Sequence, residues 1–137
     1  MIEIESRELA DIPVLHAYPV GQKDTPLPCV IFYHGFTSSS LVYSYFAVAL
    51  AQAGLRVIMP DAPDHGSRFS GDAARRLNQF WQILLQSMQE FTTLRAAIAE
   101  ENWLRDDRLA VGGASMGAMT ALGITARHPT VKCTASM

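Results

Sequence analysis

The sequence predicts an α/β fold, with a mostly parallel sheet and helices on both of its faces. Three observations carry that prediction. Short apolar runs suited to strands alternate with longer segments of helical periodicity from residue 28 onward, and such alternation requires βαβ crossovers. The run Pro28 to Tyr33 is short and continuously apolar, as a strand buried on both faces is. Hydrophobic residues make up 49% of the chain against 18% charged ones, which is enough apolar surface for a core and too much for a disordered tail. With 137 residues, the chain is one domain's worth of protein.

The elements follow in order. Ile2, Ile4 and Ser6 alternate with Glu3, Glu5 and Arg7, and beyond Ala10-Asp11 a second alternating stretch runs from Pro13 to Pro19. The two predict an antiparallel hairpin or a pair of edge strands, with His16 on the surface. Pro28 to Tyr33 is the first central strand. A loop rich in cap residues, His34 to Ser40, leads into a helix from about Leu41 to Ala53 that ends on Gly54; it is apolar nearly all round, so both sides should be covered. Leu55 to Met59 is the next strand and Pro60 to Gly71 a loop. From Asp72 to about Asn102 runs one long or broken helix, where Leu77, Phe80, Leu84, Met88, Phe91, Leu94 and Ile98 mark a core face and Gln79, Gln82, Gln86 and Gln89 a wet one. Arg108 to Gly112 is a strand, Met116 to Arg127 a helix closed by His128-Pro129, and Val131 to Met137 the last strand.

Eleven Lys and Arg against thirteen Asp and Glu leave a formal charge of -2, so nothing marks a nucleic-acid or anionic-membrane surface. The opening MIEIESRELA has no basic and apolar leader pattern, and no run reaches the roughly 18 apolar residues of a membrane span. A cytoplasmic protein is expected, with Cys29 and Cys133 as free thiols.

The strongest chemical signal is Gly113-Ala114-Ser115-Met116-Gly117, a GxSxG set between a predicted strand and a predicted helix. A strand that turns sharply into a helix brings backbones too close for a Cβ, hence the glycines. It also holds the serine in a strained conformation that lifts its hydroxyl above the strand ends, beside the N-terminus of the following helix. Backbone N–H donors there can stabilise the anion formed when Ser115 attacks a carbonyl. A second, independent signal is His34-Gly35-Phe36, which follows the first central strand.

With VIFYHGF at residues 30–36, DAPDHGSRFSG at 61–71 and DDRLAVGGASMGAMTAL at 106–122, the chain resembles the α/β-hydrolase superfamily. The resemblance is nearest to its small bacterial carboxylesterases and dienelactone-hydrolase-like members, and close to the catalytic domain of prolyl-oligopeptidase-type serine hydrolases. It covers essentially the whole chain, in the family's order. It implies an acyl-enzyme on Ser115 and an oxyanion hole from the backbone N–H groups of Phe36 and Met116. Gly35, Gly113 and Gly117 would support the site loops, and His34 would shape its loop rather than act as a catalyst. The triad acid and histidine follow the nucleophile in the family, whereas this sequence stops about twenty residues after Ser115. The resemblance therefore implies the N-terminal part of a single hydrolase domain, interrupted in its sixth strand and nearly inactive alone.

Among the histidines present, His65 beside Asp64 is the alternative base, since it follows a strand's carboxyl end; the simpler reading is that both stabilise their own loop. His128 sits at the far end of its helix. No metal spacing occurs, and no cofactor is implied. Asp106-Asp107-Arg108 predicts a turn with ion pairs, and Met88, Met116 and Met119 either border an acyl pocket or fill core. No large insertion would form a lid, which favours small soluble esters as substrates. A thioesterase, peptidase or acyltransferase on the same fold, and a non-catalytic assembly module, are the alternatives. The family's strand order, first-second-fourth-third-fifth-sixth, would separate Cys29 from Cys133 by an intervening strand. It would also leave the sixth strand's outer edge open, and an apolar patch exposed beside the first helix, for self-association or for pairing with a C-terminal segment.

Overall fold

The computed structural model describes residues 1–136, with side chains through residue 132. Strands β1 (Ile2–Leu9) and β2 (Ile12–Pro19) form a hairpin closed by Ala10 and Asp11, both at positive φ (49° and 67°), as a two-residue turn matched to strand twist requires. Then come β3 (Leu27–Tyr33), α1 (Ser44–Gln52), β4 (Arg56–Pro60), a 3₁₀ turn at Gly66–Arg68, α2 (Ala73–Asn78), α3 (Phe80–Glu100), β5 (Leu104–Gly113), α4 (Met116–Arg127) and β6 (Lys132–Ser136). The sheet order is β1-β2-β4-β3-β5-β6, with β4, β3, β5 and β6 mutually parallel and β2 antiparallel to both of its neighbours. This is the strand order that the resemblance implied.

The unbroken apolar character of β3 has a direct cause: both of its faces are covered. Cys29, Ile31 and Tyr33 join Ile58 and Val111 in a core closed by Phe91, Leu94 and Ile98 of α3 and by Ala121 and Ile124 of α4. Phe32, with Val57 and Met59, faces the other way, onto Ala47 and Ala51 of α1. The helix predicted from Asp72 to Asn102 is broken at Gln79 (φ -115°, ψ 24°), and Asp72 caps the first piece by accepting the Arg75 N–H at 2.9 Å. Helix α1 starts later than expected because residues 40–43 are turns, and only one of its sides is covered. Leu41, Val42 and Tyr45 stand 71%, 62% and 61% exposed. Strand β5 starts four residues earlier than expected. It accommodates Asp106 and Asp107, at φ 52° and 55°, in a bulge between the pairs Leu27/Leu104 and Cys29/Leu109.

His16 is not on the surface. The hairpin's second strand is interior to the sheet, flanked by β1 and β4, and Trp103 and Arg56 lie over the face that carries His16. His16 is fully buried, stacked on Trp103 with ring centroids 4.3 Å apart, its Nδ1 2.7 Å from Glu5 Oε2 and its Nε2 2.8 Å from Arg56 Nη1. Cys29 is a buried free thiol whose pKa burial pushes up to about 12. The side chain of Cys133 lies outside the described residues, while its strand, β6, is separated from β3 by β5.

Candidate active site

The turn between β5 and α4 is built by close approach. A Cβ on Gly113 would run into the backbone of Gly117 and Ala118, and one on Gly117 into the carbonyl groups of Tyr33 and His34. The last turn of β3 and the first turn of α4 therefore touch through bare backbone, with the Ala114 N–H donating to Tyr33 O at 3.1 Å. Between the glycines, Ser115 takes φ 58° and ψ -117°, a region sparsely populated by residues with a side chain, and its side chain stays exposed. Its carbonyl accepts from the Ala118 and Met119 N–H groups at 3.0 and 3.2 Å, which starts the helix at once. Met116 is the first residue of α4, where backbone N–H groups have no partner within the helix and the dipole favours negative charge.

The loop after β3 lies against this turn. Gly35 packs directly on the turn: a Cβ there would stand 3.2 Å from the Tyr43 hydroxyl and 3.4 Å from both Ser115 Cβ and Ala114 O. His34 is buried; its Nε2 accepts the Ala62 N–H at 3.0 Å, which leaves its single proton on Nδ1 for the Gly35 carbonyl at 2.7 Å. Burial lowers its pKa below the usual imidazole value, so it stays neutral at pH 7. Phe36 packs edge-on against Phe80 at 5.0 Å, beside an apolar cluster of Ile83, Leu84, Met88 and Met116. Of Met88, Met116 and Met119, the second is buried, the first borders the cluster, and the third is 41% exposed.

The structure brings Ser115, Gly35, Gly113 and Gly117 together and sets Phe36 and Met116 on the two segments that meet there. Among the described residues it brings no histidine into hydrogen-bonding contact with the serine. His65 is fully buried and spends both ring nitrogens on backbone, Nε2 accepting the Thr37 N–H at 2.8 Å and Nδ1 facing Pro63 O at 2.9 Å. Its neighbour Asp64 turns away to accept the Ser70 N–H at 2.7 Å. His128 caps the opposite end of α4, its ring on Phe91 at 4.9 Å, and His16 belongs to the cluster around Trp103.

Asp61 was not anticipated as a site residue. One carboxylate oxygen accepts from the Ser40 N–H and hydroxyl at 3.0 and 2.8 Å, the other from the Ser67 N–H and hydroxyl at 3.3 and 3.0 Å. Arg68 ties the same loop to α3 through the Asp61 carbonyl at 3.0 Å and a bidentate pair with Glu90 at 2.9 and 2.8 Å. An Asp opening a loop after a strand, with Gly and Ser a turn later, was the one signal available.

Residues 24–136 match the family described as serine aminopeptidase, S33. The chain belongs to that family of α/β hydrolases. Over all 137 residues this S33-family chain is 98% identical to esterase YjfP of Escherichia coli (strain K12), and it covers 55% of that protein. Two solved structures share the fold. A cold-adapted esterase from an Arctic intertidal metagenomic library has a TM-score of 0.68 at 23% identity, over 95% of this chain and 57% of that one. A dienelactone hydrolase-like promiscuous phosphotriesterase from metagenomic libraries has a TM-score of 0.72 at 14% identity, over 99% and 59%. The S33-family chain thus spans about half the length of the curated relatives it matches. Among its described residues no helix is long and apolar enough to cross a membrane.

Proposed function

We propose that this segment supplies the nucleophile and oxyanion hole of a serine carboxylesterase that hydrolyses small acyl esters. The observation that carries the reading is Ser115, held at positive φ at the head of α4 with the Gly35 turn packed against it. Ser115 Oγ attacks the ester carbonyl and gives its proton to a base. The carbonyl oxygen becomes an oxyanion that accepts from the Phe36 and Met116 N–H groups, each such donor contributing about 3 kcal/mol of transition-state stabilisation. The alcohol leaves with the proton, and water then cleaves the acyl-enzyme to release the acid and restore the serine.

The base and its acid belong, on this reading, to the portion of the relatives' length beyond residue 137, and residues 1–137 form the N-terminal part of one domain. The outer edge of β6 and the exposed side of α1 are where that portion would pair. Without a base, turnover falls by a factor of about 10⁶, by the scale of triad deletions in other serine hydrolases.

The test uses residues 1–137 alone and the same residues continued by the remaining portion of the 98% identical relative. Short-chain nitrophenyl ester hydrolysis and fluorophosphonate labelling are measured for each, with and without Ser115→Ala. The extended chain should turn over and label at Ser115, and the short one should show neither at a comparable rate. An extended chain that hydrolyses esters equally well with alanine at 115 would sink the reading.

A further inference from the structure

Immediately after Phe36, the backbone adopts a conformation that its residue disfavours. Thr37 has φ 66°, in the left-handed region, where a β-branched side chain is a genuine outlier and persists only if its surroundings over-determine it. The group that holds it is an imidazole. The Thr37 N–H donates to His65 Nε2 at 2.8 Å, and because that nitrogen accepts, the ring's proton is on Nδ1, where Pro63 O receives it at 2.9 Å. The ring has no freedom to turn: it is fully buried, with Phe36 edge-on at 5.3 Å and His34 at 5.2 Å.

The loop that carries His65 is itself fixed. Asp61 grips Ser40 and Ser67, and Gly66, at φ 55°, passes so close that a Cβ there would meet the Asp61 carboxylate. Residues 61–67 thus hold the turn after β3 at three points: Ala62 on the His34 ring, His65 on the Thr37 amide, and Asp61 on Ser40. The middle point is one residue from Phe36.

We infer that His65 is a positioning residue: by accepting the Thr37 amide it stabilises the left-handed turn that aims the Phe36 N–H, and so sets the oxyanion hole without touching substrate. The inference rests on the reading of Ser115 as nucleophile and Phe36 as donor. It also gives His65 a role that excludes it as the general base, since neither nitrogen is available. Protonation of Nε2 would set a donor against the Thr37 N–H. The charged and titratable groups around the ring are Asp61 and Asp64 of its own loop, Arg76 of α2 and His34 of the turn after β3; burial dominates them and holds the imidazole below its usual pKa.

The extended chain described above is the material for the test. His65→Ala should lower kcat about 10- to 100-fold with KM within about twofold, the cost of a misdirected donor. His65→Gln, which keeps an acceptor, should retain more activity, and Thr37→Gly added to His65→Ala should recover at least about threefold by removing the strain the ring opposes. Imidazole ¹⁵N shifts of the unsubstituted chain provide a readout independent of turnover and of whether the alanine variant folds: Nδ1 should be protonated and Nε2 bare from pH 8 down to below 6.5. His65→Ala with wild-type kcat, while turnover still requires Ser115, would overturn the inference alone, as would an Nε2-protonated ring. Turnover that survives Ser115→Ala would remove the reading of the nucleophile and this inference with it.

Discussion

His16 Nε2 lies 2.8 Å from Arg56 Nη1, and the guanidinium can only donate, so the contact exists only while the imidazole is neutral. The pair Glu5–His16 is then a hydrogen bond to a carboxylate, Nδ1–H to Oε2 at 2.7 Å, rather than an ion pair. Burial drives the His16 pKa down to about 4 against the raising influence of Glu5, with Arg56 acting in the same direction as burial.

That depression fixes a pH dependence of stability. The unfolded chain protonates His16 near 6.5 and the folded one near 4, so the contribution is complete above about pH 6.5 and is lost as pH falls from there to about 4. For a fully buried ring it amounts to about 3 kcal/mol. Burial lowers the His34 and His65 pKa values as well, so they add to the slope in the same sense. Urea unfolding at pH 7.5, 6.5, 5.5 and 4.5 should show the midpoint falling below pH 6.5, and falling less in His16→Gln. A midpoint constant from pH 7.5 to 5 would refute the assignment of neutral His16.

Arg56 is fully buried and reaches four acceptors. They are His16 Nε2, Trp103 O at 3.3 Å, Thr25 O at 2.6 Å and Gln22 O at 3.4 Å, and its guanidinium also lies over the Trp103 ring. A lysine keeps the charge but cannot fork. Arg56→Lys should cost about 2–3 kcal/mol in denaturant unfolding. A loss under about 0.5 kcal/mol, the range of ordinary surface substitutions, would mean the fork is not engaged.

Gly117 and Gly71 should respond very differently to alanine. At Gly117 the new Cβ meets backbone carbonyls that cannot give way, and a loss of about 4 kcal/mol or failure to fold is expected. At Gly71 the space is open and only the positive φ of 91° resists, which costs about 1 kcal/mol. Thermal midpoints of the two variants make the comparison, and equal losses would contradict the close packing of β3 on α4.

Asp61→Ala removes the acceptor for four donors, and about 2–4 kcal/mol of stability should go with it. Although burial pushes the Asp61 carboxyl up, the hydrogen bonds from Ser40 and Ser67 win and hold its pKa below the usual carboxylate value. Its contribution is therefore full above about pH 4 and disappears as pH falls further. The difference in unfolding free energy between wild type and Asp61→Ala should shrink below pH 4, and a difference that is constant from pH 7 to 3 would count against the ionised brace.

Tyr33→Phe should be neutral or slightly stabilising. The hydroxyl is buried against α3 without a hydrogen-bond partner among the described residues, so its removal takes away a desolvated polar group and no interaction. A loss above about 1 kcal/mol would reveal a partner for that oxygen.

The parts of the fold that could be read from the sequence are those fixed by short-range rules. Gly113 and Gly117 around Ser115 signal a tight turn because only backbone clearance explains two glycines there, and the apolar run through β3 signals burial on both faces. The strand order came through resemblance, since nothing local distinguishes β2-β4-β3 from β2-β3-β4. What stayed hidden depended on partners distant in sequence. His16 looked exposed because its stacking partner Trp103 and its donor Arg56 lie 87 and 40 residues away. The left-handed Thr37 was unreadable because no propensity favours it; His65 and the loop behind it impose it. The bulge at Asp106-Asp107 lies in the pairing with β3, and the break at Gln79 precedes Phe80, which packs on Phe36; no proline or glycine marks either.

At position 115 the chemistry and the fold ask for different residues. The backbone there has the geometry of a glycine, whereas on the proposed reading the side chain that this geometry disfavours is the one that carries the acyl group. On that reading, a change that relaxes the bend would end the reaction in one step.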